Sequence, residues 1–164
     1  MLSANFIIAQ LLGFLALWVY CLSYVVKSRT KFLLYTTIAE LFYSLPFIFL
    51  GSIGTGIISI VSCIQNLCFF LYEKKGEKMP TWQVWTYVSA FTLIGLFTAE
   101  TVWDILPTIA NVVLTFVLNM KDMKKLRLYH FIPSLLLLAN DILVKAYANA
   151  IEDGFEATFL AVMI

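Results

Sequence analysis

Three clusters of cations, set between long apolar runs, constrain this chain more than anything else in it. Lys27, Arg29 and Lys31 make the first, Lys74, Lys75 and Lys78 the second, and Lys121, Lys124, Lys125 and Arg127 the third. Of the 11 lysines and arginines only Lys145 lies outside them. A membrane-spanning helix needs about 20 mostly apolar residues, and loops rich in Lys and Arg stay on the cytoplasmic side. The clusters therefore mark alternate loops of a polytopic protein whose N-terminus is outside. The opposite loops carry Glu100, Asp104, Glu152 and Asp153. Composition agrees: 62% of the residues are hydrophobic and 13% charged, against roughly 45–50% and about 25% in soluble domains. A net charge of +1 argues against nucleic acid as a partner, because that usually demands a basic face. The partner that composition implies is the lipid bilayer.

Seven spans are expected, at about 6–26, 32–50, 55–72, 82–98, from the acidic turn at 100–104 to 120, 128–146, and 149–164. The fold class is thus all-α. Trp82 and Trp85 suit the interfacial aromatic belt. The first run lacks a basic n-region and a small-residue cleavage site, so it reads as a retained helix. The last span is the weakest. Its continuously apolar part, 157–164, rises only about 12 Å, against a hydrocarbon core of about 30 Å. Either that span begins near Ala146 with Glu152, Asp153 and Glu156 inside it, or the chain is cut short.

An internal repeat organises these spans. Lys27 aligns with Lys121, Lys31 with Lys125 and Tyr35 with Tyr129, a displacement of 94 residues. The stronger signal is positional: a span into the cell, a basic elbow, a returning span, a short turn and a third span. Residues 1–72 form one such unit and 100–164 the other. Residues 73–99 supply a cytoplasmic loop and a linker helix that lets both units point the same way. This three-plus-one-plus-three plan of parallel repeats is that of SWEET-type carriers.

The stretch Ala9-Gln10-x-x-Gly13, the polar elbow to Lys31, and Phe49-Leu50-Gly51 with its turn to Gly56 resemble the YgjV family of bacterial inner-membrane proteins. Asn140 and Ile151-Glu152-Asp153-Gly154 are similar to that family's later polar motifs. The resemblance implies a bacterial inner-membrane location and a distant kinship with SWEET, PQ-loop and PnuC-type carriers, without implying a substrate. Ser23-Tyr24 stands where PQ-loop proteins carry Pro-Gln, so that hinge is absent or rebuilt. Pro46, Pro107 and Pro133 fall in the second, fifth and sixth spans. A proline kinks a helix and frees a carbonyl, which makes all three candidate hinges, with Pro46 and Pro133 the favoured pair.

Polar residues inside spans point to a solute path. An ionisable group at mid-bilayer costs about 2.5–3.5 kcal/mol even on insertion scales, so it faces a partner or a cavity. Glu40 lies in the middle of the second span with no cation near it in sequence. A protonatable carboxyl there would serve a proton-coupled carrier or a cationic substrate. Asp141 and Lys145, at i and i+4, are placed to pair, with Asn140 adjacent. Ser59, Ser62 and Asn66 form one stripe in the third span, and Asn111 and Thr115 a comparable one in the fifth; each either lines a cavity or joins helices. The expected pocket residues are Glu40, Ser62, Asn66, Asn111, Asn140 and Asp141.

Catalytic arrangements and cofactor motifs are not found, and His130 as the single histidine excludes a histidine-rich metal site. No metal site, cofactor or enzymatic role is therefore expected. Cys21, Cys63 and Cys68 read as small fillers of buried helix. The expectation is a seven-helix carrier or facilitator of a small solute, with homo-oligomerisation left open. The competing reading is a membrane scaffold or partner subunit without transport. An embedded enzyme using Glu40 or Asp141 ranks third.

Overall fold

The computed structural model describes residues 4–99 and 101–163. Among the described residues the regular elements are all helical: α1 Ala4–Val25, α2 Arg29–Phe49, α3 Ile53–Lys74, α4 Thr81–Thr98, α5 Leu106–Leu118, α6 Met123–Leu143 and α7 Tyr147–Met163. A 3₁₀ turn, Val102–Ile105, leads into α5. Four of these helices (α1, α2, α3 and α6) are long and apolar enough to cross a membrane by themselves. The other three fall short for separate reasons. Trp82, Gln83, Trp85, Thr86 and Tyr87 dilute the first turns of α4. The 13 residues of α5 rise roughly 20 Å, and the 3₁₀ turn adds about 8 Å. In α7 the acids Glu152, Asp153 and Glu156 lie within the helix itself, the first of the two alternatives drawn for that span.

Burial runs opposite to that of a soluble protein. From α1, Ile7, Leu11, Leu15, Trp18, Leu22 and Val25 face outward, while Ala9, Ala16, Tyr20 and Ser23 are buried. Glu40, Gln65, Asn66, Asp141 and Glu152 are each no more than 6% exposed. Lipid tails are as apolar as leucine, so only the bundle interior offers polar groups their partners. The free cysteines Cys21, Cys63 and Cys68 are half-buried.

Successive helices pack in order, α1 on α2, α2 on α3, α5 on α6 and α6 on α7. Contacts of α1 with α7 and of α3 with α5 close these six into a ring, against which α4 leans through α3 and α5. Phe32, Leu33, Phe69, Val84, Leu114, Leu118 and Leu126 form one apolar core. A second gathers Ala16, Tyr20, Ala39, Tyr43, Phe47 and Ala146.

Several boundaries differ from the expectation, each for a local reason. The first and third basic loops are shorter, because α2 starts at Arg29 and α6 at Met123, so Arg29, Lys31, Lys124 and Lys125 sit in first turns. Pro107 occupies the first turn of α5, where a missing N–H costs nothing, so it is no mid-helix hinge. Pro46 and Pro133 do lie inside α2 and α6. The expected pairing of Asp141 with Lys145 is not formed: α6 ends at Leu143, and Lys145 turns away at φ 62. Asp104 spends its carboxylate on Thr101, accepting from its N–H at 2.7 Å and its hydroxyl at 2.9 Å. Glu100 and Ile164 lie outside the described residues.

Candidate functional site

Helix α7 presents Asn149, Glu152, Asp153 and Glu156 at spacings of three, four and seven, which places them on one face. That face points inward, and none of the four is more than 3% exposed. Opposite it, α2 offers Thr36, Glu40 and Tyr43, α1 offers Tyr20, α3 offers Asn66 and α6 offers His130. All of these side chains except Asn149 line a small cavity of about 20 Å³. About 10–15 Å³ suffices for one water, so the space fits a single water-sized occupant. Among its described lining residues there is no Lys or Arg.

The contacts divide the cluster into two parts. Ser62 donates to Glu40 Oε1 at 3.2 Å, and Tyr20 also hydrogen-bonds that carboxyl. His130 Nδ1 meets the Glu156 carboxylate. On the other side, the Tyr43 hydroxyl stands 2.9 Å from Asp141 Oδ2 and 3.2 Å from Asp153 Oδ2. One phenol hydrogen thus serves two acids. Asn140 Nδ2 donates to Asp141 Oδ1 at 3.2 Å. Three acceptors of the cluster stay unanswered, Asn66 Oδ1, Asn149 Oδ1 and Glu152 Oε2, all buried and without a hydrogen-bond partner; Gln65 Oε1 and Gln83 Oε1 are further cases elsewhere among the described residues. Such orphans are uncommon and call for an explanation.

The residues expected to line a pocket separate accordingly. Glu40 and Asn66 border the cavity. Ser62 holds Glu40 from behind, Asp141 stands one contact away through Tyr43, and Asn140 lies behind Asp141. Asn111 is elsewhere. Its Nδ2 donates to the Pro107 carbonyl at 2.8 Å, and its own carbonyl accepts from Thr115 at 2.7 Å. Gln65 donates to Thr115 at 2.6 Å, so this stripe joins α3 to α5. On α3 the stripe thus lines the cavity with Asn66, while Gln65 beside it joins α3 to α5.

Sequence reasoning passed over Tyr20, Tyr43, His130, Glu152, Asp153 and Glu156. Glu152 and Asp153 were counted with the outer loops, and their place inside the last span was kept as one of two alternatives. Their spacing carried the missing signal, since 149, 152, 153 and 156 trace a single helical stripe. His130 was placed beside the basic loop, but α6 begins at Met123, about two turns earlier.

Both ends of the cluster are closed by contacts between helices distant in sequence. At one end Gln10 Oε1 accepts from Ala148 N at 2.9 Å and Gln10 Nε2 donates to the Lys145 carbonyl at 3.3 Å, capping the start of α7 from α1. Beside it, a Cβ on Gly13 would stand 2.5 Å from Asn149 Oδ1 and 2.7 Å from Ala148 Cβ, so this seam closes only around glycine. At the basic end Arg29 pairs with Glu73 and donates to the Leu118 carbonyl at 2.6 Å, and Arg127 donates to the Val26 carbonyl at 2.9 Å. A wider cavity of about 410 Å³, lined by residues such as Gly51, Thr55, Thr98 and Asp104, shares no lining residue with the acidic cluster.

A family model described as a bacterial inner membrane protein, Imp-YgjV, matches residues 7–164. No curated protein and no solved structure matches the chain.

Proposed function

The chain belongs to the Imp-YgjV family of bacterial inner membrane proteins, and from that premise we propose that it is a carrier or facilitator of a small solute. The observation that carries this reading is the cavity at which polar side chains of α1, α2, α3, α6 and α7 converge. A polar interior of this kind is costly in a membrane and is characteristic of substrate and ion paths.

In this reading α1–α3 and α5–α7 are parallel three-helix units, and α4 is the linker between them. Under the 94-residue displacement α1 corresponds to α5 and α3 to α7. The two closing contacts, α1 with α7 and α3 with α5, then correspond to each other. The arginines add reciprocity: Arg29 of the first unit reaches the end of α5, and Arg127 of the second reaches the end of α1. Rocking of one unit against the other would open the cavity to each side in turn, with Pro46 and Pro133 as hinges. The cation clusters orient the N-terminus outside and the basic loops in the cytoplasm. The role is transport rather than catalysis.

A scaffold without transport is the second reading, and the chain from Gln65 through Thr115 to Asn111 favours it, because there buried polar groups are consumed in joining helices. An uptake screen of cells with and without the protein separates the two. The carrier reading expects a solute whose uptake needs the protein and is lost in Glu40→Gln and Asn66→Ala. Uptake retained in both variants would put the path elsewhere.

A further inference from the structure

We propose that the α7 face of the cavity is a binding site for one divalent cation of the oxygen-preferring class, such as Mn²⁺. Ligand atoms of Glu152, Asp153 and Glu156 all lie within 4.8 Å of one another, and all three residues are buried. Acids in proximity are common enough without a metal, but a second observation points to a ligand here. Asn66, on a different helix, lines the same cavity at 2% exposure with its carbonyl oxygen unpartnered. A neutral oxygen acceptor left unpartnered at the cavity that the three carboxyls also line calls for a positive centre, and a cation would serve all of them.

Donor chemistry narrows the class. Carboxylate and amide oxygens suit Mg²⁺, Ca²⁺ and Mn²⁺, whereas thiolates and imidazoles select softer metals. The cavity, at about 20 Å³, admits one ion and excludes a sugar or a vitamin in this conformation. Supporting contacts of the kind metal sites use are also in place. His130 holds the Glu156 carboxylate, and Tyr43 lies 3.2 Å from Asp153 Oδ2. Such partners orient ligating carboxylates, and losing one typically costs about 10–100-fold in metal affinity. The single histidine is thus a supporting residue rather than a ligand, which is why counting histidines gave no metal site.

That the bound cation is also the solute carried rests on the carrier reading; binding does not. The test is Mn²⁺ binding to the purified full chain in detergent, read by loss of the free-ion electron spin resonance signal, and ⁵⁴Mn²⁺ uptake into proteoliposomes. One ion per chain is expected, with affinity lowered about tenfold or more in Glu152→Gln, Glu156→Gln and Asn66→Leu. Glu77→Gln, in the α3–α4 loop, should bind as the unaltered chain does. Circular dichroism and gel filtration identify any variant that fails to fold, and Asn66→Leu reads the site without altering its charge. No Mn²⁺ binding, or binding that survives Glu152→Gln and Glu156→Gln in folded protein, would overturn the site. Binding without uptake would keep the site and count against the cation as cargo.

Discussion

At Gln10 one side-chain amide answers two backbone groups of another helix, an N–H at the start of α7 and the carbonyl of Lys145. The first N–H groups of a helix have no partner within it, and α7 borrows one from α1. Gly13, one turn on, lets the two backbones approach closely enough for this cap to reach. Gln10→Ala should therefore cost about 1 kcal/mol, the usual net worth of one hydrogen bond. Gly13→Ala should cost more, about 1–3 kcal/mol, because the new methyl is forced against Ala148 and Asn149. Thermal unfolding in detergent checks both: Gly13→Ala should melt lower than Gln10→Ala, and unchanged melting in both would deny the seam. These residues stood out in the sequence as the motif Ala9-Gln10-x-x-Gly13. Their physical role did not, because it needs residues more than a hundred positions away.

The elements were legible wherever an apolar run met a charged end. Cation clusters separate α1 from α2, α3 from α4 and α5 from α6, and each helix was found within a few residues of its bounds. The errors came where charge and burial part company. The short rise of 157–164 left two alternatives for α7, and the helix starting at Tyr147 with its acids as an inward stripe is the first of them. Asp141 and Lys145 were paired on the assumption that α6 continues, and it stops at Leu143. Arg29 and Arg127 were read as topological markers, yet each also ties its helix to the carbonyl end of a helix distant in sequence. A cation at a helix C-terminus also meets its dipole favourably. Charged hydrogen bonds contribute about 1.5–3 kcal/mol, so Arg29→Ala with Arg127→Ala should raise amide hydrogen exchange about tenfold or more at the ends of α1 and α5. Exchange confined to the substituted residues would show that the arginines hold nothing closed.

The whole molecule is a polar interior wrapped in apolar helices, and its composition and charge segregation announced that much. Which polar residues meet was harder to read. Glu40 and Asn66 could be chosen because each is polar within its own span, but the acids of α7 join them only after six helices close into a ring. The seam at Gln10 and the arginine contacts lie at opposite ends of the small cavity, an arrangement that the proposed carrier reading takes as its occluded state. Alternating access makes a direct prediction about Asn66, which lines that cavity. Cys21, Cys63 and Cys68 are first replaced by alanine, and Asn66→Cys is then exposed to a membrane-impermeant thiol reagent applied from one side and, separately, from the other. The account predicts slow modification from both sides. Protection of the thiol from both sides, in folded protein and without Mn²⁺, would contradict it.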